Sequence, residues 1–275
     1  MRTRSPSREL VLDAVTVVVM LLMLTPIIWI FLGSIKPEPD IMSGNPWPTR
    51  VTFDHYVAIW NKEGFLNALR NSLIVGIVVA VITTLLAAPA AYSLSRFSYR
   101  GREFFSLLIL GTQTLPAVAI LVPLVVIIRQ LGLTNTLTAL IFIHLALGLP
   151  IAVWMLKGYI DAIPRDLEEA AMTDGCGRFG AMVRIVLPLI SPALIAVGTF
   201  AFVLSWGEFV IALAVVSKAE VRTLPLALQS LFDPYQFSWG DVMAGGVVIA
   251  LPAVILFFIF RRQLVGGLLA GGIKG

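Results

Sequence analysis

Two groups of side chains carry charge or polarity where the surrounding sequence is apolar. The first is Asp161, Asp166, Glu168, Glu169 and Asp174, five of the chain's 16 carboxylates within 14 residues, beside Arg165, Arg178 and Arg184. A charge run is usually just a solvated face. Here it comes with an ordered pattern. Pro164 suits a helix's first turn, Asp166, Glu168 and Glu169 favour that helix's positive end, and Gly175 can supply a left-handed exit. Leu167, Ala170 and Ala171 fall three to four apart and share one face. The pattern predicts a short helix, a turn and a second helix, with a small-residue face fit for close docking. The second group is Trp206 and Glu208, inside a long apolar run. A carboxylate there costs about 2.5 to 3.5 kcal/mol on insertion scales and usually faces a cavity or a partner. An acceptor beside a flat aromatic suits a sugar, although a place near the outer membrane surface or pairing with another helix explains Glu208 equally well. Gln113, with Thr114 beside Pro116, has similar standing, and His144 reads as an interhelical hydrogen-bonding residue.

Catalysis is not indicated. The sequence holds no HExxH, no serine-hydrolase elbow and no GxxxxGK[ST] phosphate loop. Its single cysteine, Cys176, excludes internal disulfides and thiolate metal clusters, and its two histidines are His55 and His144. Energy from ATP would therefore have to come through another chain.

These groups must be positioned by membrane helices. The 275 residues are 58% hydrophobic and only 13% charged, with a mean hydropathy of +0.93, far from the soluble average of roughly a quarter charged. Residues 1–9 form a basic N-terminal segment with Arg2, Arg4 and Arg8. The apolar run 10–35 is longer than a signal-peptide core and lacks an obvious cleavage site, so it reads as a first span, with Asp13 near its start and Pro26 as a kink. Residues 36–71 form a polar loop whose Trp47, Phe53, Tyr56 and Trp60 suit an interfacial position. Further spans are expected at about 72–94, 104–128 (interrupted by Pro116 and Pro123), 137–160, 187–216 and 241–260. The fifth exceeds the roughly 20 residues a bilayer requires, so its ends are expected to tilt or protrude. The charged loop occupies 161–186. A second large loop, 217–240, holds Phe232, Pro234, Tyr235, Phe237 and Trp239, and the tail is 261–275.

Six spans leave both ends on one side. That side holds Arg2, Arg4, Arg8, Arg96, Arg100, Arg102, Lys157, Arg165, Arg178, Arg184, Arg261, Arg262 and Lys274, thirteen of the 20 basic residues. The other side, with the longer loops, holds seven. The positive-inside rule then places both termini and the charged loop in the cytoplasm.

Glu169, Ala170, Ala171, Gly175, Ile185, Leu187 and Pro188 reproduce in one register the EAA motif of bacterial ABC importer permeases, which this chain resembles along nearly its whole length. The tail VGGLLAGGIKG resembles that of the maltose-type permease subunit. LPAVAILVPL followed by LGLTNT, and NPWPTRVTFDHYVAIW with FLNALRNSL, are similar to carbohydrate permeases. Trp206, Glu208 and Phe209 match a WNEF pattern of that group, except that Gly207 replaces its asparagine, and Cys176 stands where alanine is frequent.

The resemblance implies an all-α membrane protein with six transmembrane helices, a type I ABC importer permease fold whose core is 72–260, in the bacterial inner or plasma membrane. It implies that the loop is a coupling helix seated in a cytoplasmic ATPase. Glu169 would make the charged contact, flanked by Glu168 and Asp174, with Ala170 and Ala171 for close packing and Gly175 for the turn. Gly271, Gly272 and Lys274 of the tail would reach the ATPases. Implied partners are a second, homologous permease subunit, an ATPase dimer, an extracytoplasmic substrate-binding protein reached through the 217–240 loop, and membrane lipid, with no nucleic acid. No cofactor is expected on this chain; ATP and Mg would act on the ATPase. The substrate class implied is a sugar or sugar derivative, with Gln113, Trp206 and Glu208 as candidate pathway residues. The contrasting expectation is a secondary transporter driven by an ion gradient, for which His144 and Glu208 are the main ionisable groups available.

Overall fold

The computed structural model describes residues 6–232 and 237–272, and among them every regular element is helical. The elements are α1 (Pro6–Ser34), α2 (Phe65–Arg96), α3 (Arg102–Thr112), α4 (Ala117–Gln130), α5 (Leu137–Asp161), α6 (Asp166–Thr173), α7 (Arg178–Leu189, with a π-helical turn at Met182–Val186), α8 (Ser191–Trp206), α9 (Val210–Val215) and α10 (Trp239–Gly272), joined by short helical turns.

Four described helices are long and apolar enough to cross a bilayer: Leu12–Ser34, Phe65–Arg96, Leu137–Asp161 and Trp239–Gln263. A fifth span is reached only if α7 and α8, which meet at 76°, are taken together. Two of the six expected spans are therefore interrupted. The expected 104–128 helix divides into α3 and α4 at Pro116, each shorter than the roughly 20 residues a bilayer needs. Pro116 lacks the amide that would continue α3 and disfavours a helical Leu115 before it. The expected 187–216 helix bends between Leu189 and Ser191, flanked by Pro188 and Pro192, and breaks again at Gly207–Phe209. A proline does not by itself interrupt a helix: α5 runs unbroken against the expected 137–160 with Pro150 inside it.

The chain divides into two compact units. One runs through Phe65 and takes back Leu228–Leu251; the other holds Leu66–Ala227 and the chain from Pro252.

In the first unit the side chains of residues 12–31 along α1 are all exposed, as a lipid-facing helix requires. Below α1 the chain is fixed by buried polar contacts. Lys36, only 2% exposed, donates to the carbonyls of Asn45 (2.7 Å) and Pro46 (2.8 Å) and lies 5.0 Å from the Trp29 ring centre. His55 bridges the Asp241 carboxylate and the Lys36 carbonyl, each at 2.9 Å. Glu38 accepts from the amides of Trp239 (2.8 Å) and Gly240 (3.1 Å), the positive end of α10. Gly240 is required because a Cβ there would overlap the His55 ring.

The second unit has two apolar clusters. In one, Ala87, Ala88, Ala91 and Tyr92 of α2 meet Ala152, Val153, Leu156 and Ile160 of α5 and Val186, Ala193 and Val197 of α7 and α8. In the other, Val75 and Val79 of α2 pack with Leu140 and Ile143 of α5 and Ile211, Ala212 and Val215 of α9. The alanines let backbones approach closely, which is how helices associate in lipid, where burial of apolar surface gives little drive.

Candidate functional site

The charged loop folds as helix, turn and helix. α6 ends at a left-handed Gly175 (φ 91°), where the Gly175 amide donates to the Met172 carbonyl (3.1 Å) and the Cys176 amide to that of Ala171 (3.0 Å). This paired closure satisfies the last carbonyls of α6 and is favoured by glycine at the positive φ. Pro164 lies just before α6 and not in its first turn.

The two adjacent glutamates point to opposite environments. Glu168 is 4% exposed. It accepts from Tyr92 Oη (2.7 Å) and is in ion-paired contact with Arg96 Nε. Arg96 also donates to the Ile163 carbonyl (2.8 Å), completing a set of charge-assisted bonds with little water around them. Beside them Asp161 accepts from Ser95 Oγ (2.5 Å) and Lys157 Nζ (2.6 Å). Arg165 donates to the Ser95 carbonyl (3.3 Å), and Arg178, which opens α7, lies 5.2 Å from the Phe97 ring centre. Together these contacts hold the whole α6–α7 turn against the end of α2. Glu168 was grouped with the docking residues on sequence; its carboxylate is instead consumed inside the chain, because it sits one position round the helix from the outward face.

That outward face carries Glu169, Ala170 and Asp174, all exposed, with Ala171 half-buried. Leu167, Met172 and Phe179 join it, and Phe179 is 75% exposed. An exposed carboxylate among uncovered apolar side chains can recognise a complementary basic and apolar partner surface.

The second polar group lies at the break between α8 and α9. Glu208 accepts from the amides of Ile211 (2.8 Å) and Ala212 (3.2 Å), the first turn of α9, so its charge offsets that helix's unpaired donors. His144 Nε2 lies 3.7 Å from Glu208, and His144 Nδ1 and Ser205 Oγ share a hydrogen bond (2.8 Å). Trp206 is buried and stacked on Phe202 (5.5 Å, 15°). Trp206 and Glu208, expected along a substrate pathway, thus stand at the end of α8 and in the break that follows it, where Glu208 caps α9. Gln113 is exposed at the α3–α4 interruption, with Thr112 as its described side-chain contact (3.4 Å). Gly271 and Gly272 lie in the last turn of α10, and Lys274, like Pro234 and Tyr235, falls outside the described residues.

The residues missed on sequence are Tyr92, Ser95 and Arg96. Arg96 was read only as a topological charge, since nothing local links it to a glutamate 72 positions away.

Residues 80–268 match the family described as the binding-protein-dependent transport system inner membrane component. The chain is 35% identical over 264 residues to a diacetylchitobiose uptake system permease protein of Streptomyces coelicolor, covering 95% of this chain and 96% of that one. It is 39% identical over 254 residues to a sulfoquinovosyl glycerol transport system permease protein of Agrobacterium fabrum, covering 92% and 89%. Its fold is similar to a chain of a bacterial ABC transporter involved in alginate import, with a TM-score of 0.81 at 21% identity, over 95% of this chain and 98% of that one.

Proposed function

The chain belongs to the family of binding-protein-dependent transport system inner membrane components, and from that membership we propose that it forms the translocation pathway of an ATP-driven importer for a sugar or sugar derivative. The observation that carries the mechanism is the outward face of the α6–α7 turn, where exposed Glu169 stands among uncovered Leu167, Met172 and Phe179. A cytoplasmic ATPase dimer docks there, Glu169 pairs with a basic residue, and Ala170 and Ala171 allow close approach. Gly175 fixes the turn, and Asp174 and the tail through Lys274 add contacts. ATP and Mg act on those ATPases. Closure of the ATPases moves the turn, the pathway opens toward a substrate-loaded extracytoplasmic binding protein, and hydrolysis resets it.

The pathway is completed by a second, homologous permease subunit. In this reading α3 with α4, and α7 with α8, are interrupted spans that bring the count to six, with both termini in the cytoplasm of a bacterial plasma membrane. The substrate class is supported by relatives whose names specify a chitobiose derivative and a glycosyl glycerol. Family membership favours this over an ion-gradient carrier.

The test is reconstitution of the complex with Glu169→Lys. Uptake and substrate-stimulated hydrolysis are expected to fall together while insertion is preserved; full uptake in the variant would remove the coupling assignment. Identification of the ligand that co-purifies with the cognate binding protein tests the substrate class.

A further inference from the structure

Resting on the reading of α6–α7 as the ATPase-facing input, we propose that α2 is the strut that carries its movement to the loop 217–228 on the opposite membrane face, with Glu168 as a positioning residue. One helix, continuous through Pro89, is bonded at both ends by buried polar groups. At the inner end Tyr92 and Arg96 hold Glu168, and Arg96 also holds the Ile163 carbonyl. At the outer end Asn71, 8% exposed, donates to the carbonyls of Glu220 (2.8 Å) and Arg222 (3.0 Å), and Ser72, 3% exposed, accepts from the Leu224 amide (2.7 Å). The two anchor sets are separated by about 30 to 38 Å at 1.5 Å per helical residue, the length of a membrane crossing.

Each anchor grips backbone or charge that a helix in lipid would not engage for packing alone. Removing either set leaves buried polar groups without partners, so the elements at each end move with α2 or lose their bonds. A displacement of α6 therefore reaches 217–228 through a single continuous helix with discrete attachments, one physical form that coupling between distant sites takes. Glu168 and Glu169 then act in series, the second receiving force from outside and the first passing it inward.

The experiment uses the full complex in lipid nanodiscs, with Cys176→Ala to remove the native thiol and Glu220→Cys as reporter. The Glu220 side chain is exposed while its carbonyl keeps the Asn71 bond. Labelling by a membrane-impermeant thiol reagent is followed with and without ATP. In the reporter background ATP is expected to change the labelling rate by about tenfold, within the range of coupling between distant sites. Glu168→Gln and, separately, Asn71→Ala are expected to abolish that change while the ATPase still co-purifies.

Nucleotide-dependent labelling that survives both substitutions overturns the strut. Loss of ATPase co-purification with Glu168→Gln makes Glu168 a docking residue and overturns its positioning role. Should the Glu168→Gln chain fail to insert in the membrane, Asn71→Ala, remote from the docking face, decides the strut alone. No nucleotide dependence in the reporter background, with hydrolysis intact, overturns the strut, while the input reading falls only if Glu169→Lys keeps full uptake.

Discussion

The α6–α7 turn and the α8–α9 break are both places where a helix is interrupted beside a carboxylate, and they use that carboxylate in opposite ways. At α8–α9 the group is turned inward: Glu208 accepts from two amides and lies near His144, and Trp206 is stacked and buried. The described contacts of this carboxylate are therefore made within the chain. At α6–α7 two consecutive glutamates divide the work, Glu168 consumed by Tyr92 and Arg96 and Glu169 exposed. A carboxylate at a break is therefore available for recognition only when a neighbour has taken over the job of holding the turn.

Breaking the inner half of that division has the largest expected effect. Glu168→Ala strands the Arg96 guanidinium, whose side chain is 8% exposed, and loss of one partner of a buried pair costs about 3 to 5 kcal/mol. Unfolding measured in lipid should show it, and a loss comparable to a surface substitution would mean the pair is not a structural anchor. Glu208→Ala comes next. It removes a cap from α9 and is expected to cost about 1 to 2 kcal/mol, with the half-saturation of sugar uptake unchanged. A steep rise in half-saturation with little change in stability would return Glu208 to the substrate pathway. The smallest effect on stability is expected at Phe179→Ser, within about 0.5 kcal/mol because the ring is uncovered. Yet ATPase co-purification should fall by about tenfold, as for an aromatic anchor at an interface. Unchanged co-purification would mean that the exposed apolar face is not the docking surface.

Legibility follows the range of the interactions. Gly175 at positive φ, the short helix before it and the helix after it are local consequences of spacing, and the structure matches them. Uninterrupted helices such as α5 were equally plain from hydropathy. The interrupted ones were not, because a window of apolar residues reads the same whether Pro116 or Gly207 bends the chain, stops it or leaves it straight. The roles of Glu168 and Glu169 were indistinguishable for a different reason. Adjacent positions on a helix point about 100° apart, and which of them faces inward depends on where α2 lies.

The sequence by itself determined that this is a helical membrane chain, and its EAA register pointed to the importer family, because composition and local spacing carry that information. Only the tertiary structure decided which carboxylates are spent. Tyr92 and Arg96 reach Glu168 across more than 70 positions, Glu208 is claimed by the helix that follows it, and Glu169 remains exposed. Whether a charge is satisfied depends on contacts that exist only once the helices have packed.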